Sequence, residues 1–250
     1  MQFSAAHIAE TVPLALPEGD AALWPFKHGV EELNVLEEAD DPYVYAAQYS
    51  QRPSIVGGGM FKDKYWRSYD VVPLDLDTIK IFCDTAQKTK ERNDYSVFQC
   101  WGRNRVGIYL IDQVRGKWEA PLLESTLVEF YDKHKPTRYK TIGANEILIE
   151  DKSSGSSLIQ TLQKEYLIPV RSIPRHVDKV LRAHGAISHF ASGHVYLPKS
   201  APWLHDYKQE FREFSAAMNH KHDDQIDPTL DAIEELLVRN TLLYTKENLR

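Results

Sequence analysis

The sequence predicts an α/β layer protein, a mixed sheet of five strands with helices on its faces. Two observations carry that expectation. Three β-rich apolar runs between Thr78 and Asp112 follow one another across short polar turns, the pattern of an antiparallel meander. Beyond them, apolar runs alternate with stretches of helical periodicity, an order that yields parallel neighbours through right-handed crossovers. A chain of 250 residues is long enough to bury a substantial core, and its hydrophobic (42%) and charged (26%) fractions are those of a globular domain. The formal charge of −6 excludes a globally basic nucleic-acid binder but not a local basic stripe. The two cysteines, Cys83 and Cys100, lie inside apolar runs without metal spacing and read as buried thiols in a reducing compartment. No signal peptide and no membrane-spanning run is evident, so a cytoplasmic protein is expected.

Residues 1–70 read as an N-terminal arm or linker. They carry Pro13, Pro17 and Pro25, an acidic run from Glu37 to Asp41, and short helical patterns over 28–38 and 41–48. Gly57-Gly58-Gly59 does not make a phosphate loop, because no Gly-Lys-Ser/Thr follows and Pro53-Ser54-Ile55-Val56 is a poor strand. No ATPase site is expected in this chain.

Residues 71–250 read as the folded domain. Thr78–Asp84, Tyr95–Trp101 and Val106–Asp112 are the meander. Trp118–His134 has helical spacing, Glu146–Asp151 is a fourth strand, and Ser153-Ser154-Gly155-Ser156 turns the chain into a helix carrying Leu158, Ile159, Leu162 and Tyr166. Leu167–Ser172 is the fifth strand and Asp178–Ser192 a helix closed by Gly193. A short Val195–Leu197 strand, a helix over Trp203–Phe214 and a last helix with Ile226, Leu230, Ile233, Leu236 and Leu237 follow. Trp101, Trp118 and Trp203 fit a core or an interface better than base stacking. This element order is also that of the ribonuclease H-like fold.

The carboxylates fall at matching places. Asp84 ends the first strand and Glu150 the fourth, so parallel pairing of the two strands puts both acids at one sheet edge, about 5 Å apart. His220-Lys221-His222-Asp223-Asp224-Gln225-Ile226-Asp227 precedes the last helix with two histidines and three aspartates, more than a helix cap requires. Singly, Asp84 is an ordinary strand end, Glu150-Asp151 a solvated pair, and Asp223-Asp224 a cap. Together they are a set of hard oxygen donors that repel one another unless cations sit among them, and oxygen-only ligands suit Mg²⁺ or Mn²⁺. Two such ions about 4 Å apart make a phosphodiester-cleaving clamp.

Four ordered motifs resemble the nuclease domain of phage terminase large subunits: Asp84-Thr85-Ala86 with Asn93-Asp94-Tyr95-Ser96-Val97; Ile149-Glu150-Asp151-Lys152-Ser153-Ser154-Gly155; Asp178-Lys179-Val180-Leu181-Arg182-Ala183; and His222-Asp223-Asp224-Gln225-Ile226-Asp227, with Pro228 where alanine is usual. Gln48-Tyr49, Pro53 and Gly57-Gly58 are similar to the segment joining ATPase and nuclease in that family. The resemblance implies an endonuclease that cuts double-stranded DNA with two Mg²⁺ or Mn²⁺ ions, in the bacterial host cytoplasm. Its implied partners are a terminase ATPase, a small terminase subunit and a portal. Asp84, Glu150 and Asp223 are the implied catalytic residues, and Asp224 is a further metal ligand. Asp151, His220 and His222 are weaker candidates as ligands or water-positioning groups, and Asp227 supports the site or faces solvent. Lys179 and Arg182, three apart on one helical face, either hold a DNA phosphate or neutralise the acids, and Lys88, Lys90 and Arg92 lie just after Asp84, where a hairpin would meet the duplex. Contacts mainly to the backbone imply little sequence specificity. Complete large terminases carry a Walker A loop that this chain lacks, which implies an excised domain, a split gene or a remnant. The alternatives from other classes are a non-catalytic DNA-binding or docking module and a ribonuclease H-like resolvase.

Overall fold

A computed structural model describes residues 59–86, 95–139, 141–150, 153–215 and 222–239. The helical patterns expected over 28–38 and 41–48, and Lys88, Lys90, Arg92, Asp151 and His220, lie outside these described residues. The strands are β1 (Arg67–Tyr69), β2 (Thr78–Asp84), β3 (Ser96–Arg103), β4 (Ile108–Gly116), β5 (Ala144–Glu150), β6 (Val170–Ile173) and β7 (Val195–Pro198). The helices are α1 (Ala120–His134), α2 (Ser153–Lys164), α3 (Lys179–Ala191), α4 (Leu204–Glu213) and α5 (Ile226–Ile233), and α5 runs on into π-helical turns over Glu234–Arg239.

One sheet gathers all seven strands in the order β1-β7-β4-β3-β2-β5-β6. The expected meander is present, with β2 antiparallel to β3 and β3 to β4, and β5 lies parallel to β2 with β6 parallel beyond it. The sheet is nevertheless wider than the five strands expected. β7 pairs parallel with β4, and β1 closes that side parallel to β7. β1 falls within the stretch assigned to the arm, and at three largely exposed residues it has no alternation for a sequence pattern to detect. Phe61 is also buried in the core, and the compact unit begins at Gly59 rather than at residue 71. The fifth expected strand starts later than its apolar residues suggest. Leu167 takes a left-handed conformation (φ 55°) as the chain leaves α2, so pairing begins at Val170.

Alternation along the strands divides the core into two layers. Ile79, Ile81, Cys83, Ile147 and Ile149 pack with α1 and α2 through Leu123, Leu127, Leu158 and Leu162. Phe82 and Leu148 face the other side, against Ala183, Ala186 and Phe190 of α3, Tyr207 and Phe211 of α4, and Ile226, Leu230 and Ile233 of α5. Asp84 and Glu150 share the parity of Phe82 and Leu148, so both carboxylates project into this second layer. Trp101 is fully buried there, Trp118 stacks on Phe98 at 5.4 Å and Trp203 packs edge-on to Tyr207, so the tryptophans serve packing. Both cysteines are buried.

Candidate metal centre

The site forms where strand ends meet helix starts. Cys83 pairs with Ile149 across the parallel β2–β5 ladder, so Asp84 and Glu150 stand side by side one residue further on, with strands about 4.8 Å apart. Asp84 is also in register with Val97, and Val97 with Arg115, so one edge row carries Glu150, Asp84 and Arg115.

α5 lies over this row. Every residue from Ile226 to Ile233 is buried, which admits Asp227 and Asp231 to the interior only with cationic partners. Pro228 is tolerated in the first turn, where its missing N–H has no intrahelical acceptor to lose. Neither Asp223 nor Asp224 caps the helix. Gln225 is the N-cap residue and makes no side-chain capping bond. The two carboxylates therefore have other uses, and they diverge.

Asp223 turns toward α3. Lys179 Nζ lies 2.6 Å from its Oδ2 and 2.7 Å from Asp227 Oδ2. Arg182 Nη1 lies 2.7 Å from Asp227 Oδ1, and its Nη2 donates to Asp231 Oδ1. Asp224 turns the other way, toward Arg115 Nη2 (3.2 Å) and the Tyr95 backbone N–H (3.4 Å). Arg115 lies over the Tyr95 ring at 4.0 Å and also approaches Glu210 at 3.4 Å. His222 packs edge-on to Tyr95 and is 3.9 Å from Asp224.

At the meeting point of the acids stands a residue outside the sequence-based expectations. Arg175, with its side chain only 7% exposed, sends Nη1 to Glu150 Oε2 (2.6 Å), Asp84 Oδ1 (3.5 Å) and Asp227 Oδ2 (3.6 Å). Its Nε and Nη2 both donate to Asp231 Oδ2, at 3.2 and 2.7 Å. Burial disfavours its charge, but Asp84, Asp231 and Asp227 outweigh burial and raise its pKa above the ordinary arginine value. Burial likewise opposes ionisation of Asp227, yet Arg175, Lys179 and Arg182 draw its pKa below the usual carboxylate range. Asp231 and Asp224 go upward, burial prevailing over Arg175 and Arg182 in the first and over Arg115 in the second. The signal for Arg175 was topological. It lies just past the end of β6, and Ile173 of β6 pairs with Glu150, so it stands at the carboxyl edge of the parallel strands, where sites of such sheets are built.

The structure therefore brings Asp84, Glu150 and Asp223 into one connected set through Arg175, Asp227 and Lys179, and leaves Asp224 in a neighbouring one. Lys179 and Arg182, with side chains 19% and 9% exposed, both pair with carboxylates of the acid cluster. Among the described residues no group of three or more acidic, histidine or cysteine side chains is arranged to hold a metal ion, and the point shared by Asp84, Glu150 and Asp227 holds a guanidinium nitrogen of Arg175. The donor set still fits a hard divalent cation. It consists of carboxylate oxygens from remote segments, and they already converge on a cation.

A buried polar network anchors this end of α5. Gln225 donates from its backbone N–H and Nε2 to the two oxygens of Glu210 (2.6 and 2.7 Å), and Gln113 Nε2 donates to Gln225 Oε1. Gln99 Nε2 donates to Gln113 and to the Gln225 carbonyl, and Thr229 and Trp101 donate to Gln99 Oε1. Gly155, at the start of α2, is set by close approach, since a Cβ there would stand 2.4 Å from the Glu150 carbonyl oxygen.

The sheet order and its carboxylate edge define a ribonuclease H-like domain. The chain belongs to the terminase RNase H-like domain family, whose description matches residues 81–236. It is similar in fold to the large terminase of a thermophilic bacteriophage. In complex with ADP that protein superposes with a TM-score of 0.56 at 13% identity, over 83% of this chain and 52% of that one. A second structure of the same terminase gives 0.54 at 14% identity with the same coverage. The large terminase nuclease of thermophilic phage G20c covers 71% of this chain and 98% of its own, at 14% identity and a TM-score of 0.49. The chain thus spans about half the length of the first of these terminases. A sequence search of curated proteins finds no match. No helix among the described residues is long and apolar enough to cross a membrane.

Proposed function

We propose that this domain is a divalent-metal-dependent endonuclease that hydrolyses phosphodiester bonds of double-stranded DNA, as the nuclease part of a phage or prophage packaging terminase in the host cytoplasm. The observation that carries the reading is the convergence of Asp84 and Glu150, from adjacent parallel strands, on a single cationic nitrogen, with Asp227 at the same point. Carboxylates so placed need positive charge among them, and a divalent ion with oxygen ligands meets that need.

Asp84, Glu150 and Asp223 would hold Mg²⁺ or Mn²⁺, which when bound supplies Lewis acidity at the scissile phosphate. Lys179 would keep Asp223 oriented and, with Arg182, helps draw the pKa of Asp227 below the usual carboxylate range. His222, beside Tyr95, would orient water or a phosphate oxygen. With Lys179 and Arg182 turned inward, contact with the duplex backbone falls to Lys88 and Lys90. An ATPase, a small terminase subunit and a portal are the partners such a nuclease would serve.

One observation favours a second reading, a DNA-binding module without catalysis, since the acid cluster already carries its own cations. Plasmid relaxation separates the two. Wild type is expected to nick supercoiled DNA in Mn²⁺ or Mg²⁺ and Asp84→Asn to lose that activity. Supercoiled DNA left intact across a range of both ions would overturn the nuclease reading.

A further inference from the structure

The acid-bearing edge of the sheet continues across β3 and β4. At the end of β4, Val114 and Trp118 pack with the α1 layer, and a Cβ on Gly116 between them would meet the Trp118 ring at 2.3 Å. Arg115 and Lys117 therefore point to the opposite face, the one that carries Asp84. On β3, Phe98 belongs to the α1 layer, whereas Val97 is in register with Asp84 and shares its face, and Tyr95 follows the parity of Val97. Tyr95 and Lys117 thus stand one side-chain repeat, about 7 Å, beyond the row of Glu150, Asp84 and Arg115.

The two residues meet at this lip. Among the interactions of Lys117, its Nζ lies 4.7 Å from the centroid of the Tyr95 ring, and the Arg115 guanidinium lies 4.0 Å from the same centroid. His222 meets the ring edge-on at 5.6 Å, and the Tyr95 backbone N–H donates to Asp224 Oδ1 at 3.4 Å. The ring is therefore tied to the turn that delivers Asp223 and Asp224. The two cations differ in reach. Arg115, its side chain 18% exposed, lies between Glu210 and Asp224, whereas Lys117 is exposed. A lysine ammonium rides on a flexible stem, and contact with an aromatic face gives it a set place without cancelling its charge.

We propose that Lys117, set in place by the Tyr95 ring, binds a backbone phosphate of the DNA strand lying across the acid edge, beside the phosphate presented for cleavage. The inference rests on the nuclease reading above for its substrate and adds a contact to it. Lys117 touches the strand; Tyr95 is a positioning residue, and its ring rather than its hydroxyl carries the role. One ammonium–phosphate contact releases about one condensed counterion, which at 0.1 M salt is worth roughly eightfold in affinity, whatever the base sequence.

The test follows a fluorescent duplex by anisotropy between about 50 and 200 mM salt, beside the kinetics of plasmid nicking in Mn²⁺. Lys117→Met should bind roughly eightfold more weakly at 0.1 M salt and lower the slope of log affinity against log salt by about 1. It should raise KM and leave kcat near wild type. Lys117→Arg, which keeps the charge, should restore affinity and slope. Tyr95→Phe keeps the ring and should match wild type, whereas Tyr95→Leu should move toward Lys117→Met. Lys133→Met, which removes an exposed cation of α1, should change neither affinity nor slope. Wild-type affinity and slope in Lys117→Met would overturn the inference, as would equal losses in Tyr95→Phe and Tyr95→Leu, and continued nicking by wild type would keep the nuclease reading intact. If wild type nicks plasmid in neither Mn²⁺ nor Mg²⁺, the nuclease reading falls, and the slopes still decide the contact. Should Tyr95→Leu fail to fold, the Lys117 variants decide.

Discussion

Replacing Asp227 by asparagine removes one charge at almost constant volume from the middle of the acid–base set. Lys179 and Arg182 each approach Asp227 at 2.7 Å, and its side chain is 8% exposed. At an effective dielectric of about 20, each such pair is worth roughly 4 kcal/mol of Coulomb attraction before desolvation is subtracted. Because the cations stay buried when the carboxylate is lost, the expected destabilisation is about 3–5 kcal/mol. For a domain of this size that lowers the melting temperature by about 6–20 °C. Thermal denaturation at neutral pH measures it, with Asp70→Asn as the comparison. Asp70 pairs with Lys199 at the same 2.7 Å but with side chains 70% and 59% exposed, and solvent screening holds its loss to about 1 kcal/mol or less. The pH dependence has a definite sign. The folded-state pKa of Asp227 is depressed, so its contribution is complete above the ordinary carboxylate value of 3.8 and disappears as pH falls through the depressed one. Wild-type and Asp227→Asn stabilities should therefore converge in strong acid. A melting temperature within a degree of wild type at neutral pH would refute the buried ion-pair set.

Three further outcomes are expected. Asp112 accepts from His134 and Lys133; although burial opposes it, its pKa falls from 3.8 to about 2, so about 2 kcal/mol of stability should be lost between about pH 4 and 2, and Asp112→Asn should flatten that limb of an acid titration followed by circular dichroism. Gly155→Ala should cost about 1–3 kcal/mol by overpacking and should weaken Mn²⁺ binding by displacing the Glu150 backbone, although no charged group is touched; unchanged Mn²⁺ affinity in calorimetry would show that Glu150 is held independently of α2. Burial pushes the Cys83 thiol well above its ordinary pKa and Cys100 is equally enclosed, so a chromogenic disulfide should find no fast-reacting thiol in the native protein and both in denaturant.

Much of this arrangement is legible in the sequence, and the reasons are local. Thr78–Asp84 and Ala144–Glu150 are apolar runs that end on a carboxylate, and in the ribonuclease H-like element order these two strands are parallel neighbours, so the two acids meet. Helix α3 announces both its ends. Asp178 accepts from the N–H groups of Val180 and Leu181, and Gly193 takes φ 77° just beyond the last turn. What the sequence hid were relations between distant segments. Lys179 and Arg182 have the spacing of a solvent-facing basic pair, and only the approach of α5 turns them inward. Arg175 follows Pro174 in a loop with no pattern of its own, and Asp231 looks like the polar side of an amphipathic helix until every neighbour proves buried. Asp223 and Asp224 are adjacent and chemically alike, yet one lies on the α3 side and the other on the β4 side, a distinction of backbone direction that spacing does not encode.

The network around Gln225 bears on how α5 finds its place. Apolar contacts of Ile226, Leu230 and Ile233 with the sheet are non-directional, and a helix held by them alone can slide along its groove by a turn, about 5.4 Å, at modest loss of burial. Such a slip would carry Asp223 and Asp227 away from Lys179 and Arg175 while leaving the helix folded. The hydrogen bonds from Gln225 to Glu210, and from Gln113 and Gln99 to Gln225, exist in only one register. They work as a detent, fixing the phase of the helix against the sheet, so that the carboxylates at its leading edge are indexed by buried amide groups behind them.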